Sequence, residues 1–162
     1  MNNTTTNTDA APRVVILGVA ASDAHAVANQ LIAMMLRQKG FVVINLGVCT
    51  PLEEFAEAYH AYPHAEAVLI GSLNGHAYED LKALPQLRSA GQLACPIIVG
   101  GNLSVGSHKS ADTANRLLDL GVDHILEDAN ELGALLDHLA GERNTQDLGE
   151  RQTRPTLATV GS

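Results

Sequence analysis

The chain has 162 residues, with ten Lys and Arg against eighteen Asp and Glu, for a formal net charge of −8. This length predicts one domain with a core that needs neither disulfides nor a structural metal. The acidic balance and scattered cations disfavour a nucleic-acid partner, and no apolar run approaches the roughly 20 residues that span a membrane. With three Tyr, two Phe and no Trp, little side-chain surface is available to stack on a base or a flavin.

Apolar runs alternate with amphipathic segments along the chain. The runs have the length of strands buried on both faces and lie at 14–20, 41–48, 67–70, 97–99 and 122–126. The segments with helical periodicity lie at 26–38, 51–62, 78–90, 111–120 and 130–140. Glycine follows several of them, as helix C-termini prefer.

Five strand–helix units of this kind predict a parallel α/β sheet covered on both faces. The number of units favours a flavodoxin-like (Rossmann-like) doubly wound domain with strand order 2-1-3-4-5. We expect this domain at 13–142, because 1–12 and 143–162 are polar and aperiodic and are typical of disordered tails. The N-terminus lacks the apolar segment of a signal peptide, and the two cysteines form no disulfide or zinc pattern, so a cytoplasmic location is expected.

Ligands of such sheets bind beyond the carboxyl ends of the strands, which directs attention to the loops after strands 1, 3 and 4. These loops, 22–26, 71–76 and 100–106, are rich in Gly, Ser and His. They lack the Asp and Lys of receiver domains, the phosphate loop and flanking aromatics of flavodoxins, and the GxGxxG of dinucleotide-binding domains. All three of these classes fit poorly.

The first loop contains Asp23 and His25, two residues apart. In an extended loop both side chains can lie on the same side, so that the carboxylate accepts the Nδ1–H of the imidazole and leaves Nε2 as a basic lone pair. A carboxylate orients a metal-ligating His in this way. In isolation, however, the motif is better explained as a cap of the helix that begins near Ala26.

Taken together, the three loops resemble the DxHxxG…SxL…GG pattern of cobalamin-binding domains. The resemblance is closest to the small, cobalamin-carrying (sigma) subunits of glutamate mutase, also called methylaspartate mutase, and covers about residues 13–141. It is carried by SDAHAVAN at 22–29, GFVVINLGV at 40–48, SLNG at 72–75 and VGGNLSVG at 99–106.

The resemblance implies that His25 is the axial ligand to the cobalt of cobalamin and that Asp23 orients it. It also implies that the nucleotide tail of the cofactor enters a slot between the sheet and the helix after strand 1. The residues expected to bind the cofactor are Ser22, Asp23, Ala24, His25, Ala26, Gly71, Ser72, Leu73, Gly100, Gly101, Asn102, Leu103 and Ser104.

Two positions depart from the family pattern. Ala28 replaces the Gly of DxHxxG and adds a methyl group where the tail would pass the helix. Gly71 occupies the first position of SxL, where the family has Ser, and so removes a hydroxyl expected to bond the base, a loss of about 1 kcal/mol. We expect Ser72 or a water molecule to take over this bond, or the tail to bind differently.

The resemblance further implies one subunit of an adenosylcobalamin-dependent isomerase. In that family, homolysis of the Co–C bond starts the reversible rearrangement of L-glutamate to (2S,3S)-3-methylaspartate. The three loops contain no Arg to bind the substrate carboxylates, so we expect a large (epsilon) subunit to bind the substrate, in a heterotetramer, and this chain to be inactive alone.

Two alternatives remain open. A corrinoid carrier for methyl transfer or a cobalamin-responsive regulator would keep both Asp23 and His25. A structural relative that has lost cobalamin would account for Ala28 and Gly71.

Overall fold

The computed structural model describes residues 11–101 and 110–153. The strands are β1 (Arg13–Val19), β2 (Phe41–Asn45), β3 (Ala67–Gly71), β4 (Ile97–Gly100) and β5 (His124–Leu126). The helices are α1 (Ala26–Gln38), α2 (Leu52–Ala61), α3 (Ala77–Asp80), α4 (Leu84–Ser89), α5 (Ser110–Leu120) and α6 (Leu132–Thr153), with a 3₁₀ turn at Ala129–Glu131.

All five strands lie parallel in one sheet, in the order β2-β1-β3-β4-β5. The predicted doubly wound α/β fold and its strand order are therefore confirmed. The order reverses at β1, which pairs with β2 on one side and β3 on the other. This switch point places the loops after β1 and β3 side by side at the carboxyl edge of the sheet.

The sheet buries both of its faces, and alternate strand residues serve opposite layers. In β1, Ile16 packs toward the helices α2 to α5, whereas Val15 and Leu17 pack toward α1 and α6. All three side chains are at most 3% exposed. This two-sided burial explains why the strands are nearly continuous apolar runs in the sequence.

The predicted helix at 78–90 is two helices, α3 and α4, separated by a turn at 81–83. Pro85 occupies the first turn of α4. Because proline lacks an amide hydrogen and its ring clashes with the preceding turn, a continuous helix through this position is disfavoured. The single-helix prediction is wrong for this reason.

The C-terminal helix α6 continues to Thr153, so residues 143–153, which we expected to belong to a tail, are helical. Part of the cause is an ion-pair network at the amino edge of the sheet, where Glu66 bonds both Arg13 at 3.0 Å and Arg143 at 3.1 Å. Arg13 also reaches Asp137 of α6 at 2.6 Å. Residues 1–10 and 154–162 of the predicted tails lie outside the described residues.

Within the described ranges, no helix has the length and the apolar character needed to cross a membrane.

Candidate functional site

The loops that follow β1 and β3 meet the end of β4 at the carboxyl edge of the sheet. Val19 pairs with Gly71, and Gly71 pairs with Gly100, so the three strands end side by side. The amide of Ala20 donates to the Gly71 carbonyl at 2.9 Å, and the amide of Ser72 donates to the Gly100 carbonyl at 2.9 Å. Of the residues predicted for this site, Asn102, Leu103 and Ser104 lie outside the described part of the chain.

Asp23 is buried at this edge, with 1% of its surface exposed. Its Oδ1 accepts hydrogen bonds from the ring Nδ1 of His25 at 2.5 Å and from the His25 amide at 2.9 Å. Its Oδ2 accepts from the amides of Leu73 at 2.5 Å and Asn74 at 3.2 Å. The buried carboxylate is therefore satisfied by donors from both loops.

These contacts determine the charge of Asp23 and which ring nitrogen of His25 faces it. Burial raises the pKa of the Asp23 carboxyl, but hydrogen bonds from the amides of Leu73 and His25 and from the His25 ring outweigh it and leave the pKa below its usual value. An ionised carboxylate only accepts hydrogen bonds, so Nδ1 of His25 carries the proton. In the neutral ring Nε2 then has a free lone pair, and the His25 side chain is 59% exposed.

The capping explanation of the motif does not fit this geometry. His25 occupies the position before α1 but makes no side-chain capping bond to the helix. The Asp23 carboxylate bonds the amide of His25 itself, ahead of the helix, and the amides of the β3 loop. The pair is therefore arranged to hold the imidazole, as a carboxylate does for a metal-ligating His.

A cavity of about 220 Å³ lies between the sheet and the layer formed by α1 and α6. Apolar side chains dominate its walls, and Glu127 contributes a charged group at the lining. The residues that line it are Leu17, Ala28, Ile32, Leu69, Ile70, Gly71, Leu73, Ile98, Gly100, Gly101, Leu126, Glu127, Ala129 and Leu132. The cavity lies where the resemblance implies a slot for the nucleotide tail of the cofactor.

Both departures from the family pattern, Ala28 and Gly71, line this cavity. A Cβ added at Gly71 would lie 3.8 Å from the Gly18 carbonyl oxygen and from a Val19 methyl group, which is ordinary contact distance. The missing side chain at Gly71 therefore leaves usable space, whereas Ala28 fills part of the slot.

Ser72 does not line the cavity, although Gly71 and Leu73 on either side of it do. Its hydroxyl is buried and has no hydrogen-bond partner among the described residues. The expectation that the Ser72 hydroxyl or a water molecule takes over the bond to the base stays a prediction, and this buried hydroxyl is a candidate partner for the base.

Gly101 allows the loops after β3 and β4 to approach each other. Its φ is +120°, and a Cβ there would lie 2.2 Å from the carbonyl oxygen of Ser72. Because the obstacle is backbone, no side-chain movement relieves it. The second glycine of the Gly-Gly pair is thus required by the shape of the site.

Comparison with known proteins decides the family. The B12 binding domain model matches residues 13–135. The glutamate mutase sigma subunit of Halobacterium salinarum is 38% identical over 149 residues, covering 91% of this chain and 95% of that protein. The glutamate mutase sigma subunit 1 of Haloarcula marismortui is 44% identical over 117 residues, covering 72% and 76%. This chain belongs to the B12-binding domain family, among the glutamate mutase sigma subunits.

The fold of this B12-binding domain also occurs in a solved structure, a cobalamin-binding protein from Desulfitobacterium hafniense. The two share a TM-score of 0.65 and 18% identity, over 79% of this chain and 59% of that one. At this identity the likeness concerns the fold alone.

The residues of this B12-binding domain fit a cobalt corrinoid. Among the described residues no group of three or more His, Cys, Asp or Glu side chains is placed to hold a bare metal ion. The exposed His25 ring could instead supply a nitrogen ligand to a metal that is held within a macrocycle. The apolar cavity beside α1 would be the space available to a part of such a cofactor that enters the fold.

Most of the residues that sequence reasoning missed come from within the strands. Leu17, Leu69 and Ile98 line the cavity through the strand face that points to α1. Their alternation with neighbours that face the other layer was the available signal. Asn74 was also missed as a donor to Asp23, because a backbone amide leaves no trace in the sequence.

Proposed function

We propose that this chain is the cobalamin-binding small subunit of an adenosylcobalamin-dependent glutamate mutase. With a large subunit, this isomerase interconverts L-glutamate and (2S,3S)-3-methylaspartate. The observation that carries the proposal is the buried Asp23 carboxylate, which fixes the exposed His25 ring with Nε2 free at the switch point of the sheet.

In this proposal His25 ligates the cobalt through Nε2, and Asp23 holds the ring in its ligating tautomer. The cavity lined by Ala28 and Gly71 receives the nucleotide tail and excludes water from it. Adenosylcobalamin, when bound, supplies a carbon-centred radical by homolysis of its Co–C bond. The contribution of this chain is therefore to bind and orient the cofactor.

We place substrate binding on the large (epsilon) subunit, in a heterotetramer. The site loops at 22–26, 71–76 and 100–101 contain no Arg to bind two substrate carboxylates. Arg13 and Arg143 are engaged with Glu66 at the opposite edge of the sheet. Both cysteines, Cys49 and Cys95, are free thiols, which supports a reducing cytoplasm as the compartment.

Reconstitution tests the proposal. We expect the purified chain, adenosylcobalamin and a glutamate mutase large subunit to form methylaspartate from glutamate together, and no pair of the three to do so. Cobalamin binding without isomerisation would instead favour a methyl carrier or a regulator. A chain that binds no cobalamin would be a structural relative that has lost the cofactor.

Substituting Ser at Gly71 is expected to tighten cobalamin binding about 5-fold, because one added hydrogen bond to the tail contributes about 1 kcal/mol. The space around Gly71 accepts the new side chain at ordinary contact distance. Gly71→Ala is the matched control, since it adds the Cβ without the hydroxyl. Spectral titration with hydroxocobalamin measures both, and equal affinities for the two variants would show that the hydroxyl makes no bond.

A further inference from the structure

A second group of polar side chains lies beside the Asp23–His25 pair and ties three elements together. The Ser22 hydroxyl donates to Asp80 Oδ2 at 2.6 Å. The Asn74 amide donates to both the carbonyl oxygen and the hydroxyl oxygen of Ser22, each at 2.9 Å. These contacts join the loop after β1, the loop after β3 and helix α3.

Asn74 uses its whole side chain in these contacts. While Nδ2 bonds Ser22, Oδ1 accepts the amide of His76 at 3.0 Å, which fixes the turn of the β3 loop. The backbone amide of the same Asn74 donates to Asp23 at 3.2 Å. Because Asp23 follows Ser22 directly, a shift of Asn74 against Ser22 changes the distances around the Asp23 carboxylate.

The Asp80 carboxylate is directed at Ser22. Within the described residues, both hydrogen bonds that it accepts come from Ser22, one from the hydroxyl at 2.6 Å and one from the amide at 3.4 Å. The neighbouring cation Lys82 pairs instead with Glu79, at 2.6 Å. Glu79 is on the same helix and carries the same charge, so it offers a matched control.

We propose that Asn74 and Asp80 are positioning residues. Through Ser22 and Asp23 they hold the His25 ring in the orientation and tautomer that a cobalt ligand needs. This inference rests on the proposed function, in which His25 is the ligand. Loss of an outer-shell partner typically lowers metal affinity 10–100-fold, and because these residues act through Asp23 we expect about 10-fold.

Four substitutions separate this role from general stability. Asn74→Asp keeps the size of the side chain and the oxygen that bonds His76, but it removes both donors to Ser22. Asp80→Ala removes the acceptor of the Ser22 hydroxyl. Asp80→Asn keeps an acceptor oxygen and is expected to retain the hydrogen bond from Ser22. Glu79→Ala removes a carboxylate that pairs with Lys82 and that, among the described residues, makes no hydrogen bond to the loops at 22–26 and 71–76.

Two measurements on the full chain read the effect. Long-range ¹H–¹⁵N correlation spectra of the cofactor-free chain report the His25 tautomer, and spectral titration with aquocobalamin reports affinity. We expect the wild type, Asp80→Asn and Glu79→Ala to hold the Nδ1–H tautomer. Asn74→Asp and Asp80→Ala are expected to mix the tautomers and to raise Kd about 10-fold.

Wild-type tautomer populations and Kd in Asn74→Asp would overturn the inference. If that variant does not fold, the comparison of Asp80→Ala with Asp80→Asn and Glu79→Ala decides in the same way. If the wild type itself binds no aquocobalamin, the proposed function fails. The tautomer spectra then still decide whether Asn74 and Asp80 hold the ring.

Discussion

Replacing Gly101 with Ala is expected to destabilise the folded chain by about 3 kcal/mol. Two effects combine: the residue has φ +120°, and the new methyl group would lie 2.2 Å from the Ser72 carbonyl oxygen. To relieve the overlap the loops after β3 and β4 must separate, which also deforms the cavity wall at Gly71 and Gly100. Urea denaturation gives the change in unfolding free energy, and cobalamin titration gives the loss of binding.

Substitutions at two other glycines distinguish the cost of the positive φ at Gly101 from the cost of the overlap with Ser72. Gly91 has φ +71° with nothing within 4 Å of its added Cβ, so Gly91→Ala is expected to cost about 1 kcal/mol, from backbone conformation alone. Gly141 lies inside α6 with open space around it, so Gly141→Ala is expected to stabilise by about 0.5–1 kcal/mol. If Gly101→Ala costs no more than Gly91→Ala, the close approach to Ser72 contributes nothing.

The fold was predictable because strands of a sheet that is buried on both faces consist of continuous runs of apolar residues. Val15, Ile16 and Leu17 are all buried, although they serve two different layers, and such runs separated by amphipathic helices permit few topologies. Pro85 was a sequence signal for the break between α3 and α4. We predicted one helix there because the apolar residues before and after the proline share a helical spacing.

The geometry of the site was less predictable, because it depends on contacts between distant residues. The motif identified Asp23 and His25, but it carried no information on the backbone amides of Leu73 and Asn74, which donate hydrogen bonds to the Asp23 carboxylate. Residues 143–153 have a polar sequence, and their helix is held in part by the long-range pair between Arg143 and Glu66.

Replacing His25 with Ala is expected to abolish nitrogen coordination of the cobalt while leaving the fold intact. Cobalamin affinity should fall by more than the roughly 10–100-fold that is typical for loss of a residue bonded to a metal ligand. Stability should change by less than about 0.5 kcal/mol, because the ring is 59% exposed and Asp23 keeps its amide donors. Spectral titration with hydroxocobalamin and a thermal melt measure the two effects separately.

Asp23→Ala is expected to lower both the stability of the fold and the affinity for cobalamin. Its carboxylate is buried, so removing it leaves the amides of Leu73, Asn74 and His25 without their acceptor, at a cost of about 2 kcal/mol or more. Binding should weaken about 10–100-fold, since His25 remains but is no longer oriented. The proposed ligand His25 is thus expected to affect binding alone, whereas Asp23, which we propose orients it, is expected to affect binding and stability together. A His25→Ala chain with wild-type cobalamin spectra would contradict the ligand role, and an Asp23→Ala chain of wild-type stability would contradict the geometry of the buried carboxylate.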